Sequence, residues 1–170
     1  MNLRKHVFSA IVFSLLTFTS SISAHSSDKV AASKETSFLS QDLIKKYYDS
    51  ILSQNLPEFL GLLTLDVVHE INQGSTEIGK EKFKNYMAEQ FSHGNIKIDD
   101  LIILTSADGK YATARFICSG NYSKPVEGFG PAKNQYWKIP VVSFFKINNG
   151  KISHVAVYYN KNDWMKQISL

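Results

Sequence analysis

Within five positions, His69, Glu70, Asn72 and Gln73 set an imidazole, a carboxylate and two amides at the end of the aliphatic pair Val67-Val68, and Gly74 then stops the run. An imidazole or a carboxylate can carry a proton between two atoms of a bound molecule, and an amide can donate to a developing oxyanion. The place where a strand runs into a loop is a usual position for such groups. Alternation decides which of them enters an interior. Either Val67, His69 and Ile71 face inward, or Val68, Glu70 and Asn72 do. Both valines are apolar, so the phase stays open, and His69 and Glu70 are both candidate bases. Asn72 and Gln73 either cap the next helix or hold their own loop, or they donate to a ligand oxygen.

The elements around this cluster follow from apolar spacing. Leu43, Ile44, Tyr47, Tyr48, Ile51 and Leu52 recur every three or four residues and predict a helix over about 41–53, with Ser40 as a plausible N-cap. Asn55 and Pro57 start a second, short helix over 56–63, and Gly79 leads into a third over 79–91 with Phe83, Tyr86, Met87 and Phe91 on its apolar side. The second half is β. Strands are expected over 96–106, 111–122, 135–147 and 152–160, with Asp108-Gly109 and Asn149-Gly150 as tight hairpin turns. An amphipathic tail carrying Trp164, Met165 and Ile168 closes the chain. Three helices ahead of an antiparallel meander predict an α+β domain with helices packed on one face of a curved sheet. The connection 123–134 holds two prolines, two glycines and Phe129, and reads either as a flap over the interior or as an ordinary surface excursion.

Two short helices, then LDVVHEINQGSTEIGKEKF, then long β segments resemble the SnoaL-like, ketosteroid-isomerase-related branch of the NTF2-like superfamily, over about residues 41–165. The resemblance implies a cone-shaped α+β fold, a small hydrophobic ligand inside it and a homodimer formed through the exposed sheet face. Laying Leu43–Asp66 against the ketosteroid isomerases without gaps puts that family's helix tyrosine at Tyr47 and its base at Ile71, between Glu70 and Asn72. The second acid falls at Val142 or Ser143. One of three catalytic positions keeps its residue type, so the fold is implied and classical steroid isomerisation is not. Glu70 takes the base role there only if a one-residue bulge rephases the strand. The site expected from residues and resemblance together has His69, Glu70 and Tyr47 as catalytic groups. Tyr48, Asn72, Gln73, Phe91, Phe116, Phe144 and Tyr158 are expected to bind the ligand. Because neighbours on a strand face opposite ways, only one of Tyr158 and Tyr159 reaches inside.

Other classes are disfavoured. Histidines stand at 6, 25, 69, 93 and 154 without a metal-binding spacing, and no phosphate-binding or dinucleotide-binding glycine pattern occurs, so neither metal nor cofactor is expected. Cys118, the sole cysteine, permits no internal disulfide and reads as a small buried hydrophobe. Arg4, Lys5 and His6, the apolar run 7–18 and the small residues 20–24 read as a cleavable secretory signal, cut after Ala24, which leaves no stable membrane anchor. A secreted or periplasmic location follows. Residues 25–39 read as a flexible leader and 40–170 as the folded domain. Without Arg4 and Lys5, 17 of the 19 basic residues face 15 acidic ones, a net of +2 with no basic block, so nucleic acid is not an expected partner. Two functions remain: an exported enzyme of acid–base isomerisation, cyclisation or hydration, or a non-catalytic ligand-binding or dimerisation module. A titratable group inside the cavity separates them.

Overall fold

A computed structural model describes residues 20–94, 96–126 and 128–169 of the chain. Helix α1 (Ser20–Leu52) leads into α2 (Leu56–Gly61), where Asn55 Oδ1 accepts the Glu58 N–H at 3.2 Å and Pro57 lies in the first turn. Strands β1 (Leu63–Ile71) and β2 (Thr76–Ile78) form a hairpin, α3 (Lys80–Ser92) follows, and then come β3 (Lys97–Thr105), β4 (Tyr111–Tyr122), β5 (Gln135–Asn148) and β6 (Lys151–Tyr159). Helix α4 (Lys161–Ile168) ends the described chain. The six strands make one sheet in the order β2-β1-β6-β5-β4-β3, antiparallel except where β1 runs parallel to β6.

The α+β class holds, but the described helices number four rather than three, two of them short, and β1 and β2 interrupt the first three. The larger correction concerns residues 25–39. Expected as a flexible leader, they are helical and continuous with the helix predicted to begin near Ser40. The segment docks by hydroxyls where an apolar stripe would have been legible. Ser33 Oγ donates to the Ala107 carbonyl at 2.9 Å, Ser37 Oγ meets Thr105 Oγ1 at 2.6 Å, and Ser40 Oγ donates to the Gly109 carbonyl at 2.7 Å. Spaced at four and three residues, these serines share one helix face against the β3–β4 hairpin. The expected signal, apart from 20–24, lies outside the described residues. Among the described residues no helix is long and apolar enough to cross a membrane.

The core lies between the helices and the concave sheet face. Phe59, Phe83 and Phe145 are fully buried there, with Ile44, Leu63, Val67, Ile152 and Val155. Burying each such side chain contributes about 1.5–3 kcal/mol. Tyr47 packs edge-on against Tyr48 and Phe145, and Tyr48 packs edge-on against Phe116, so the first helix is keyed to β4 and β5 by aromatic rings.

Candidate functional site

Alternation along β1 settles the phase that the two valines left open. Val67 and His69 are buried and Ile71 lines the interior, while Val68 and Glu70 face the outer side of the sheet. The register irregularity between β1 and β6 falls between Leu63 and Val68, upstream of the cluster, so it does not turn Glu70 inward. Glu70 is therefore not a cavity base. Its Oε1 lies 2.8 Å from His154 Nε2 on the outer face, without the alignment of a hydrogen bond.

The interior is a cavity of about 630 Å³, in the range typical of small-molecule sites. Tyr47, Tyr48, Phe91, Phe116 and His69 line it, as expected, together with Met87, Trp137, Ile139 and Val157. His69 is 2% exposed. Its ring stacks on Phe83 and meets the edge of Tyr86, with centroids at 4.0 and 4.7 Å. Burial pulls the imidazole pKa from 6.5 down to about 4, so the ring is neutral at neutral pH. Across the wall, the sealed Tyr48 hydroxyl lies near Ser143 without closing a well-formed hydrogen bond, and burial raises its pKa far above the ordinary tyrosine value. Burial likewise pushes the Cys118 thiol up to about 12, which keeps it protonated and inert.

Three expected ligand contacts are elsewhere. Phe144 is on the outer face against Tyr111, and Phe145 takes the inward position. Tyr158 also faces outward, while Tyr159 lines the cavity. In each pair both neighbours are aromatic, so residue type carries no information on phase. Gln73 is exposed in the β1–β2 turn. Asn72 and Gln73 have φ of 47° and 61°, the left-handed pair that a type I′ hairpin turn requires. Asn72 does line the cavity, but its Oδ1 accepts the Tyr159 N–H at 3.0 Å and so ties β1 to β6. Its amide is a structural clamp.

Glu77 was missed. It is the register partner of His69 across the hairpin, and its Oε2 lies 3.8 Å from His69 Nδ1. Recognising Asn72-Gln73-Gly74 as the reversal that sets Ile71 opposite Ser75 would have placed it there.

The open end of the cavity is partly covered. Phe129 from the 123–134 connection packs edge-on against Trp164 of α4 at 5.2 Å, and Lys161 Nζ sits 5.5 Å from the Phe129 ring centre. The Tyr122 hydroxyl donates to the Gly130 carbonyl at 3.0 Å and accepts the Val126 N–H at 2.9 Å. Of the two readings of this connection, the flap is the one the contacts support.

A six-stranded sheet curled around a helix-covered aromatic cavity is an architecture shared by many chemistries. Residues 44–155 match the SnoaL-like domain family. The chain belongs to that family. Among solved structures, this SnoaL-like chain is similar to a candidate polyketide cyclase from Pseudomonas putida KT2440, at 36% identity over 76% of this chain and 97% of the other, with a TM-score of 0.74. A second candidate polyketide cyclase, from Silicibacter sp. TM1040, is 35% identical over 77% of this chain and 96% of its own, with a TM-score of 0.73. An LEH-like epoxide hydrolase from M. tuberculosis shares the fold alone, at 11% identity over 78% of this chain and 90% of its own and a TM-score of 0.62. No curated relative matches the sequence.

Proposed function

We propose that this SnoaL-like domain binds a small, largely apolar molecule in its cone and moves a proton on it with His69. The observation that carries the reading is a neutral imidazole in the wall of an aromatic cavity of about 630 Å³. Nδ1 is sealed in the protein, which leaves the Nε2 edge to face the cavity. A ligand carbonyl compound seated against that edge would have a proton acceptor beside its α-carbon. The polyketide cyclase names of the two relatives support cyclisation or a related enolisation.

A second reading is a binding module without catalysis. It is favoured by Ile71, and Val142 or Ser143, falling where the resemblance puts the acids of the ketosteroid isomerases, and by a buried imidazole that is a weak base.

The bicyclic ketone α-tetralone separates the two. The first reading expects saturable quenching of Trp137 and Trp164 fluorescence, and exchange of the α-hydrogens into D2O accelerated by roughly a hundredfold or more over buffer. His69→Gln should abolish the exchange and keep the quenching. Saturable binding without His69-dependent exchange leaves the binding module. No saturable binding of α-tetralone or its tricyclic aryl-ketone homologues overturns both.

Export completes the proposal. Cleavage after Ala24 would trim the start of α1 and leave its serine contacts at 33, 37 and 40 in place. Mass spectrometry of the natively expressed protein should give a mature chain starting at His25, and an intact Met1 in a membrane fraction would refute it.

A further inference from the structure

Two buried polar atoms face each other in this domain without a bond between them. His69 Nδ1 and Glu77 Oε2 are 3.8 Å apart, both are closed to solvent, and neither has a hydrogen-bond partner. Sealed polar atoms without partners are costly, and such a pair calls for a state of the molecule in which it is satisfied. The backbone built the encounter. The left-handed turn at Asn72 and Gln73 reverses the chain so that His69 and Glu77 are direct cross-strand partners on the inward side. Around the ring, Phe83 and Tyr86 come from α3 and Val155 is the partner on β6, so Tyr86 and Glu77 are the titratable groups that face it among the described residues.

We propose that Glu77 is a positioning residue for His69. Its carboxylate attracts the Nδ1 proton, fixing the neutral ring as the Nδ1–H tautomer with the Nε2 lone pair turned to the cavity. The proposal rests on the reading of His69 as the proton acceptor. In the step, Nε2 takes a hydrogen from the ligand α-carbon and the C–H electron pair passes to the carbonyl oxygen as an enolate. The imidazolium then draws Glu77 into a charge-assisted hydrogen bond at Nδ1, its Nε2 proton exchanges with water, and Nε2 afterwards delivers a proton back to the ligand α-carbon as the enolate electron pair returns to it. No oxidant or co-reactant is needed. The pairing also answers an energetic difficulty. Burial alone makes His69 a weak base, whereas an opposite charge within hydrogen-bond reach favours its protonated form. Glu77 sits on a three-residue edge strand with its side chain 31% exposed, so a shift of about 1 Å toward the ring is sterically modest and brings the pair within hydrogen-bonding range.

Long-range ¹H–¹⁵N spectra of the full chain labelled at histidine, at neutral pH, test the pairing without any ligand. The His69 signals are assigned by their loss in His69→Gln. The wild type should show the Nδ1–H tautomer. Glu77→Leu should convert it to the Nε2–H form or a mixture, and Glu77→Gln, which keeps an acceptor, should preserve it. An Nε2–H ring in the wild type, or an unchanged tautomer in Glu77→Leu, overturns the proposal. Glu77→Gln guards against a folding defect in Glu77→Leu. It should also lower α-tetralone exchange at least tenfold while the concentration giving half-maximal quenching is unchanged. Because the tautomer is read in the empty protein, absence of exchange would strike the catalytic reading and leave the pairing standing.

Discussion

The His69 imidazole lies flat on Phe83, with ring centroids 4.0 Å apart and planes only 12° from parallel. Protonating such a ring gains a cation–π attraction of about 0.5–2 kcal/mol and forfeits hydration worth more, which is why the folded-state pKa drops to about 4. The unfolded chain, at about 6.5, therefore binds its proton first as pH falls. The stability this group contributes is complete above 6.5 and is lost between 6.5 and 4, with a ceiling of roughly 3 kcal/mol. Urea denaturation at pH 7.5 and pH 4.5 should show the wild type losing about 2–3 kcal/mol more than His69→Phe. Equal losses would mean that the ring titrates normally in the folded protein.

The docking of α1 on the β3–β4 hairpin depends on a residue with no side chain. Gly109 has φ of +66°, and a Cβ there would lie 2.6 Å from Thr36 Cγ2 and 2.7 Å from Ser40 Oγ. Gly109→Ala must both strain the turn and push the helix away, so a loss of about 1–3 kcal/mol is expected, with earlier proteolytic cutting of residues 20–40. A thermal midpoint equal to the wild type would show that α1 is only loosely seated.

The same contact explains what the sequence did and did not disclose. Tyr111–Tyr122 was legible to the residue because alternation, Asp108-Gly109 and the aromatic boundary all agree. Asn149-Gly150 adopts φ of 49° and 70°, as its type predicts. Residues 25–39 were illegible because serine hydroxyls, which look like leader composition, do the docking. The site divides the same way. Tyr47, Tyr48, Phe91 and Phe116 came from helix spacing or from clean strand alternation. Phe144 and Tyr158 failed because each has an aromatic neighbour of opposite phase. Glu77 lay hidden behind a turn whose Asn-Gln pair resembles a polar site more than a hairpin.

The flap should be loosened by removing one oxygen. The Tyr122 hydroxyl both donates to Gly130 and accepts from Val126, so Tyr122→Phe frees two anchor points of the 123–134 connection and leaves its ring beside Trp164. With each hydrogen bond worth about 0.5–1.5 kcal/mol net, α-tetralone release, followed by stopped-flow tryptophan fluorescence, should quicken by roughly tenfold with a smaller change in association. Identical release rates would mean that the connection does not gate the cavity.

The outer sheet face is the remaining surface that the domain leaves open. Ile102, Leu104 (63% exposed), Tyr111, Tyr136 and Val142 (42% exposed) stand on β3, β4 and β5, and Tyr111 and Phe144 pair their rings at 5.9 Å. Neighbouring strands bring Ile102, Arg115 and Val142 into one row and Leu104, Thr113 and Phe144 into the next, so the apolar side chains of β3 and β5 flank Arg115 and Thr113 on β4. Large exposed apolar side chains gathered on one sheet face around a polar centre are the composition expected of an association surface. A second copy of the chain is the expected occupant, because a two-fold pairing buries the same patch on both partners. Light scattering at micromolar concentration should give twice the chain mass. Val142→Lys sets an ammonium in the middle of that interface and should give a monomer that still quenches with α-tetralone, since the cavity lies on the opposite face of β5. A wild-type monomer refutes the dimer, and a Val142→Lys protein that remains dimeric places the contact elsewhere.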